Sequence, residues 1–373
     1  MQSFEQHLQR TWYKNQASHR NYGDWRNVAS VPRGKPHIVA ETSLGNRIWS
    51  IPSLLNADTL VVGCWDHALH GLDRRTLAPL WRFSTTAPVY SSPAVLPDGS
   101  FVVGCEDGIL RRISSAGELV WTFVANASFH GTPTIDRQRG IVFASCYDHH
   151  VYALAVATGD LLWKVSYLRP FREPDPDDNI YSSPALCPDG AIVFGTDWEV
   201  VCVADGRQRW SFATDGLVEG TAALDYVTGI GVVGCASGMV YGFDFVEGAV
   251  RWQRKTAGPV VGCAAISSSG CVCLGSDDGH AYGIDPASGK ILWRTALGCQ
   301  VMWTSMSSMP GGDFVFVGAA GSNGDLFRLD PRDGTIVSQQ QFSRGVHSPP
   351  LVTPDGQVVV GSHFGSLYVV EMA

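Results

Sequence analysis

Val89-Tyr90-Ser91-Ser92-Pro93 is one of eight short segments that decide the fold of this chain, because all eight follow one plan. Each has a hydrophobic residue, then a variable residue, then a triplet of small residues that often ends in proline. The other seven lie at 48–52, 129–133, 180–184, 218–222, 260–264, 302–306 and 346–350. Units that recur roughly every 42 residues and fill a chain predict a closed or stacked array.

The unit that contains this segment reads as four short strands. In residues 87–126, apolar or alternating runs lie at 90–96, 100–104, 109–114 and 119–123. They are separated by Pro97-Asp98-Gly99, Glu106-Asp107-Gly108 and Ala116-Gly117. Asp-Gly pairs are typical of hairpin turns, in which glycine takes the positive φ. The unit therefore predicts a four-stranded antiparallel meander, one blade of a propeller.

Both ends of the chain indicate how the array closes. The last unit has three predicted strands, while an additional strand at 37–41 precedes the first unit. Residues 38–45 match residues 291–298, which include the fourth strand of another unit. We therefore expect an all-β, eight-bladed propeller of four-stranded antiparallel blades over residues 37–373, with the N-terminal strand completing the last blade. Radial closure of this kind protects strand edges.

Residues 1–36 precede the repeat and are predicted to form an N-terminal arm. Ser3 and Gln6 have the spacing of a capping box, and Phe4, Leu8 and Trp12 recur at helical spacing. The arm is therefore expected to contain a short helix. It either packs against the propeller, covers the channel as a lid, or docks a protein partner.

Six units carry a tryptophan on their fourth strand, and the other two carry Ser338 and Ala40 at that position. The tryptophans are Trp81, Trp121, Trp163, Trp210, Trp252 and Trp293. A large ring on an outer strand is expected to pack against the next blade.

The bulk composition excludes several classes of protein. The 373 residues carry a formal net charge of -8, which disfavours nucleic acid as a partner. No apolar stretch approaches the roughly 18 residues of a membrane span, so no membrane partner is expected. The first 20 residues resemble no secretory signal, which predicts a cytoplasmic location and reduced thiols for the 10 cysteines.

The repeat resembles the PQQ-like (quinoprotein-type) β-propeller family over about residues 37–373. The resemblance rests on the Ser-Ser-Pro segments at 91–93 and 182–184 and on two stretches that lead into outer-strand tryptophans, 157–163 (ATGDLLW) and 285–293 (DPASGKILW). It implies the propeller fold. For function it leaves three classes open: periplasmic quinoprotein alcohol dehydrogenases, outer-membrane assembly scaffolds, and propellers attached to adenylate-forming enzymes.

This chain differs from the family pattern in features that bear on those three functional classes. The resemblance to quinoprotein dehydrogenases implies adjacent cysteines in a vicinal disulfide beside the quinone, a calcium-binding set and a signal peptide. Here Cys271 and Cys273 are separated by one residue, and no calcium set is recognisable. We therefore expect no cofactor. The outer-membrane scaffold class implies a lipoprotein leader, which the N-terminal sequence does not resemble.

The variable residue of each segment begins an innermost strand, so the eight are expected to ring one mouth of the central channel. They are Trp49, Tyr90, His130, Tyr181, Glu219, Val261, Trp303 and His347. Turns between second and third strands open on the same face and add Trp65, Asp66, Glu106, Tyr147, Asp148, Asp197, Trp198, His363 and Phe364. The ring is either a site or an aromatic plug. Burying an acid and two imidazoles unpaired would cost several kcal/mol, which favours the site.

Residue types in this ring suggest acid–base chemistry. Glu219 is the candidate general base, with His130 and His347 as acid or orienting groups. The candidate substrate-binding residues are Trp49, Tyr90, Tyr181, Trp303, Trp65, Tyr147, Trp198, His363 and Phe364. These rings suit a planar or cationic ligand.

One connection on the same face is longer than the others. Between Trp163 and Ser182 the chain has a surplus at 167–178, and it contains Arg169 and Arg172. Long loops on a rigid scaffold often bind or gate, and two arginines suit a carboxylate or phosphate. A solvated insertion is the alternative.

Metal ligands are not predicted. His149-His150 are neighbours at a turn, and His67 and His70 flank a strand start. Neither spacing is diagnostic of a metal site.

Three functional hypotheses follow. The first is a cofactor-independent acid–base enzyme of the cyclase, lyase or isomerase type, as in natural-product biosynthesis, acting at the mouth on a small aromatic or amine-bearing substrate. The second is a non-catalytic scaffold that holds an adenylate-forming or other biosynthetic enzyme through its rim and N-terminal arm. The third, a quinoprotein dehydrogenase, is disfavoured by the cysteine pattern.

Overall fold

The computed structural model describes residues 35–167, 182–301, 305–308, 315–319, 324–343, 345–346 and 348–372. Over these ranges the regular elements are β-strands, which form eight four-stranded antiparallel sheets. This confirms the predicted all-β, eight-bladed propeller. No helix in the described part of the chain has the length and apolar character to cross a membrane. Most of the predicted N-terminal arm, residues 1–34, lies outside the described residues.

The blades follow one another along the chain, and each runs from its innermost to its outermost strand. Blades 1 to 4 are β2 (Ser53–Leu54), β3 (Thr59–Cys64), β4 (Ala68–Asp73), β5 (Pro79–Ser84); β6 (Ala94–Val95), β7 (Phe101–Val103), β8 (Ile109–Ile113), β9 (Leu119–Val124); β10 (Thr134–Asp136), β11 (Ile141–Cys146), β12 (His150–Ala155), β13 (Leu161–Ser166); and β14 (Ala185–Leu186), β15 (Ile192–Gly195), β16 (Glu199–Ala204), β17 (Arg207–Ala213). Blades 5 to 8 are β18 (Ala223–Asp225), β19 (Ile230–Gly234), β20 (Met239–Asp244), β21 (Val250–Lys255); β22 (Ala265–Ile266), β23 (Val272–Ser276), β24 (His280–Ile284), β25 (Ile291–Ala296); β26 (Ser307–Ser308), β27 (Val315–Ala319), β28 (Asp325–Leu329), β29 (Ile336–Gln341); and β30 (Leu351–Val352), β31 (Val358–Gly361), β32 (Ser366–Met372) with β1 (Pro36–Ser43).

The innermost strands are much shorter than the sequence predicts, since β6 covers two residues of the predicted run 90–96. The serines of the repeated segment form side-chain hydrogen bonds instead of strand pairs. Ser91 Oγ accepts from the backbone N of Gly104 at 3.2 Å and donates to the carbonyl of Gly131, in the next segment, at 3.0 Å. Pro93 has no N–H to donate to a ladder. The small triplets therefore join neighbouring blades around the axis rather than extend the sheet.

Outer-strand tryptophans dock on the following blade, as predicted. Trp252 lies over Gly242 of its own blade and Gly289 of the next, where an added Cβ would come within 2.0 and 2.4 Å of the indole. Gly289 has a φ of +68°, which glycine adopts freely. The indole Nε1 donates to the carbonyl of Pro286 at 2.8 Å. Equivalent indole bonds join Trp81 to Ser115, Trp121 to Val156, Trp210 to Val246 and Trp293 to Pro331.

The chain closes through its two ends. Strand β1 pairs antiparallel with β32 from Pro36 opposite Met372 to Ser43 opposite Ser366, so it begins one residue before the predicted position 37. The hydrophobic core lies between blades rather than at one centre. One cluster joins Ile48 and Leu60 at blade 1 to Val359 of blade 8.

Candidate functional site

Two kinds of loop meet on one face of the propeller, which we call the mouth face. One is the hairpin tip, the turn between the second and third strands of a blade, and the other is the entry segment that leads into the innermost strand. Backbone N–H groups at the tips donate to carbonyls of the entry segments. These bonds join Trp65 to Arg47, Glu106 to Pro88, Tyr147 to Ser128, Ala236 to Leu217, Asp277 to Pro259 and His363 to Gly345. Each of these tips is therefore held beside the entry segment of its own blade.

Six half-buried rings form a continuous row on this face, which we call the aromatic arc. Its members are His363 from blade 8, Trp49 and Trp65 from blade 1, Tyr90 from blade 2, and His130 and Tyr147 from blade 3. Consecutive ring centroids lie 4.3 to 5.5 Å apart, from His363–Trp49 at 5.5 Å to Tyr90–His130 at 4.3 Å. Such separations are those of interacting aromatic pairs.

The blade 1 part of the arc carries a cation. The guanidinium carbon of Arg47 lies 4.6 Å from the centroid of the Trp65 ring and 5.9 Å from that of Trp49. Trp49 Nε1 donates to His363 Nδ1 at 3.1 Å, so neutral His363 carries its proton on Nε2. Burial, and then the charge of Arg47, lower the pKa of His363, which keeps this imidazole neutral.

The blade 3 end of the arc carries an acid–imidazole pair. His130 Nδ1 lies 3.0 Å from Glu106 Oε1, and His130 stacks on Tyr147 at an interplanar angle of 16°. Burial, and then the charge of Glu106, raise the pKa of Tyr90 to about 12. Tyr90 therefore stays protonated. The sequence placed Glu106 on this face, at the same tip position as Trp65 and Tyr147, but did not indicate its pairing with His130.

Three predicted site residues lie on the mouth face outside the arc. Glu219 is half-buried in the segment that enters blade 5, and Trp198 is 43% exposed at the tip of blade 4. Phe364 is 56% exposed at the tip of blade 8, with its ring edge-on to His363 at 5.5 Å. The remaining predicted residues lie outside the described part of the chain: Tyr181, Trp303, His347, Arg169 and Arg172. The catalytic assignment of Glu219, His130 and His347 thus stays a prediction.

The cysteine pair of blade 6 does not fit a quinone site of the dehydrogenase kind. Cys271 and Cys273 are buried in the interblade core, with their sulfurs 3.8 Å apart and one residue between them. Cys271 directly precedes β23, at the end of that strand remote from the hairpin tip. The vicinal pair beside a quinone, which the resemblance to those enzymes implies, is not formed by these residues.

Comparison with known proteins gives the same architecture. The family model described as outer membrane protein assembly factor BamB matches residues 45–216, 147–300 and 277–373. A curated relative, the outer membrane protein assembly factor BamB of Yersinia pestis, is 23% identical over 150 residues. That match spans 38% of this chain and 38% of the relative.

Solved structures show the same fold at low identity. BamB from Moraxella catarrhalis is 15% identical with a TM-score of 0.68, over 90% of this chain and 100% of that one. The computationally designed Ika8 protein is 16% identical with a TM-score of 0.71, over 90% and 99%. The quinohemoprotein alcohol dehydrogenase of Comamonas testosteroni is 14% identical with a TM-score of 0.73, over 95% and 79%.

Proposed function

Because the chain belongs to the PQQ-like propeller family described as outer membrane protein assembly factor BamB, we propose that it is a non-catalytic scaffold that binds a partner protein on its mouth face. This is the second of the three hypotheses drawn from the sequence. The relatives named as assembly factors support it over the enzyme hypothesis.

One observation carries the proposal: the aromatic arc is continuous across four blades and half-exposed. Trp, Tyr and Arg are the residue types that dominate binding energy at protein interfaces. The arc supplies two tryptophans and two tyrosines, with Arg47 stacked on Trp65. Phe364 extends the same surface with an exposed ring.

The rigidity of the arc suits docking. Its rings stand on hairpin tips and entry segments that are bonded to each other through the backbone, so little backbone freedom remains to be lost on binding. The partner segment that fits this surface presents apolar and hydrogen-bonding groups together, since the arc mixes ring faces with Tyr90, His130 and Glu106.

A pull-down with matched surface variants tests the proposal. The double variant Tyr147→Ser and Phe364→Ser alters the mouth face, while Val246→Ser alters an exposed apolar residue at the opposite end of blade 5. Quantitative mass spectrometry should show one partner that the wild type and Val246→Ser retain and the double variant loses. Equal recovery by all three would contradict docking at the mouth.

The N-terminal arm is proposed to contribute to the same partner. Deleting residues 1–30 leaves β1 intact, since that strand begins at Pro36. Partner recovery should fall with the deletion and unfolding should not change. Full recovery of the partner by the deletion variant would show that the arm does not contribute to binding.

Acid–base catalysis at the mouth is a second candidate, favoured by the His130–Glu106 pair beside the protonated Tyr90. The carboxylate fixes the tautomer and orientation of an imidazole, which is what a general base requires. The substrate would be small and aromatic or amine-bearing. Glu219→Gln and His130→Asn should each abolish turnover of such a substrate without changing the melting temperature. Survival of turnover in both would end this candidate.

A cytoplasmic location is kept as part of the proposal. It is tested by fractionation of cells that produce the full-length chain, in which the protein should appear with soluble cytoplasmic markers. Recovery with the outer membrane would overturn it.

A further inference from the structure

Four hairpin tips share an aspartate whose carboxylate is bonded by a side chain of the third strand. Asp107 accepts from Arg111 at 2.6 Å, Asp148 from Tyr152 at 2.5 Å, and Asp278 from Tyr282. In blade 1 the same position is Asp66, and its partner is His70, with Nε2 3.0 Å from Asp66 Oδ2. The four tips are therefore versions of one structural unit.

Blade 1 differs at the other carboxylate oxygen. In blades 2, 3 and 6 the Oδ1 atom accepts from the backbone N two residues further on, at 3.1, 3.2 and 3.0 Å. Asp66 Oδ1 is buried and has no hydrogen-bond partner in the described structure. A buried carboxylate oxygen without a partner is costly, which points to an atom or ion that this oxygen would bind.

Two more potential ligands lie near this carboxylate. One atom each of Cys64, Asp66 and His70 lie within 4.8 Å of one another, and the described residues contain no other such group of three. Cys64 is fully buried at the end of β3 and His70 is 9% exposed on β4. Thiolate, imidazole and carboxylate are the ligand types that zinc takes in proteins.

We propose that Cys64, Asp66 and His70 form a zinc site at the tip of blade 1. Cys64 Sγ, Asp66 Oδ1 and His70 Nε2 would be the ligands, and a water molecule would take the fourth position on the exposed side. The charges of a thiolate and a carboxylate balance those of Zn²⁺. The spacing of His67 and His70 in the sequence is not diagnostic of a metal. In the hairpin register Cys64 lies opposite Ala68, and His70 follows two residues later on the same face of β4, so Cys64 and His70 are diagonal neighbours.

Arg82 fits such a site as an outer partner. Its Nη2 atom lies 3.2 Å from Asp66 Oδ2 and 3.1 Å from the Asp66 carbonyl. Ligating carboxylates are commonly hydrogen-bonded through their second oxygen, which fixes their orientation. Arg82 would thus hold Asp66 while Oδ1 faces the metal.

His67 and His149 lie outside the cluster of potential ligands and are accounted for by the turn. Both take the left-handed turn conformation, with φ of 61° and 62°, at the position where other tips have glycine. They are turn residues, at the position of Gly108 and Gly279.

Zinc at this site would stiffen the aromatic arc. Trp65 lies between two of the ligands, and its indole Nε1 is itself buried without a hydrogen-bond partner in the described structure. Fixing Cys64 and Asp66 fixes the position of Trp65. The inference goes beyond the proposed function, because zinc binding needs no partner protein and is measured without one.

The test uses the purified full-length chain, stripped with a chelator and titrated with Zn²⁺ by calorimetry. His70→Tyr and Cys64→Ser remove one ligand each, and both introduce the residue that another blade has at that position, Tyr152 and Ser276. Cys105→Ser is the matched control in blade 2. Wild type and Cys105→Ser should bind one zinc ion, and the two ligand variants should bind it at least about tenfold more weakly.

Two further readouts decide the outcome. Zinc should raise the melting temperature of the wild type and leave that of His70→Tyr unchanged. Cobalt(II) should give the wild type a thiolate-to-metal charge-transfer band that Cys64→Ser lacks. Absence of stoichiometric zinc in the wild type, or equal affinity in His70→Tyr, would overturn the site.

Discussion

Blades 1 to 7 and the closing blade 8 are joined to their neighbours in different ways. Six interfaces carry an outer-strand tryptophan that packs over glycine of the following blade, as Trp121 does over Gly159. The two interfaces that flank blade 8 have Ser338 and Ala40 instead. We call the blades joined by these six tryptophan interfaces the docked arc, and the two interfaces that flank blade 8 the seam. The contrast shows how a closed ring of blades is joined where no tryptophan is available.

At the first seam interface, between blades 7 and 8, a buried arginine stands at the position where several other blades have a glycine opposite the outer-strand tryptophan. Arg328 is opposite Ser338 in the register of β28 and β29, where blades 5 and 6 pair Gly242 with Trp252 and Gly283 with Trp293. Arg328 is 1% exposed. A large residue on the third strand and a small one on the fourth replace the opposite arrangement.

At the second seam interface an ion pair joins blade 1 to blade 8. Arg74, 5% exposed, donates to Asp355 Oδ1 at 2.5 Å and to Gln357 at 3.2 Å. The seam blade itself is completed by the β1–β32 ladder. Backbone pairing of the two chain ends therefore completes blade 8 itself, and an ion pair links blade 8 to blade 1 where other interfaces have an indole.

The largest effect should come from removing β1. Deletion of residues 1–43 exposes the edge of β32 and opens the ring, so we expect loss of the cooperative unfolding transition and aggregation on size-exclusion chromatography. Deletion of residues 1–34 leaves β1 in place and is the matched control. A cooperative transition at the same temperature in both would show that the seam does not depend on this strand.

The aromatic dock should be next in magnitude. Trp252→Ala leaves a cavity over Gly242 and Gly289 and removes a buried indole hydrogen bond, for a loss of about 3–5 kcal/mol in urea unfolding. Ser338→Ala at the seam should change the free energy of unfolding by less than about 0.5 kcal/mol. Similar losses for the two would erase the distinction between docked arc and seam.

Acid should lower the stability that Asp107 contributes at the hairpin tip of blade 2. Blade 8 lacks this contribution, because it has Phe364 in place of the aspartate. Burial alone would raise the pKa of Asp107, but hydrogen bonds from Arg111 and Thr86 outweigh it and hold the pKa at about 2. The pKa is depressed on folding, so the stabilisation is complete above about pH 5 and is lost as the pH falls through 4 towards 2.

The size of that stabilisation is about 2 kcal/mol, because the pKa of Asp107 falls from an ordinary aspartate value of 3.8 to about 2 in the folded protein. Asp107→Asn should lose it at pH 7, and its stability should approach that of the wild type near pH 2. Urea unfolding from pH 7 to pH 2 measures the difference. A difference that does not change with pH would contradict the assignment.

The seam ion pair should contribute least. Asp355 has 46% of its side chain exposed, so solvent screens its attraction to Arg74. A double-mutant cycle with Arg74→Met and Asp355→Asn should give a coupling energy of about 1 kcal/mol or less. A much larger coupling would show that the ion pair, rather than the β1–β32 ladder, holds the seam.

The sequence predicts the fold well because the repeat specifies each blade independently. Eight copies of one segment, glycine turns and outer-strand tryptophans agree on the same architecture, including the closing role of the N-terminal strand. The shortness of the inner strands does not follow from the sequence. Their serines look like strand residues in sequence, but Ser91 bonds across to the next blade instead.

The site is predicted only in part. Pseudo-symmetry places Trp49, Tyr90 and His130 on one face, since equivalent positions converge around the axis. Side-chain partners do not follow from symmetry: the pairing of His130 with Glu106 depends on which way each rotamer turns. The same holds for Asp66, whose carboxylate has lost a backbone bond that its equivalents keep.

The most direct test of the mouth as a docking surface is photo-crosslinking in cells from two equally apolar, exposed positions. A crosslinking amino acid at Phe364 lies on the mouth face, and one at Val246 lies at the opposite end of its blade. A docking mouth predicts one discrete crosslinked protein from position 364 that disappears when Tyr147 is replaced by Ser, and none from position 246. A crosslink from 246 alone, or one from 364 that the Tyr147 replacement leaves unchanged, would contradict it.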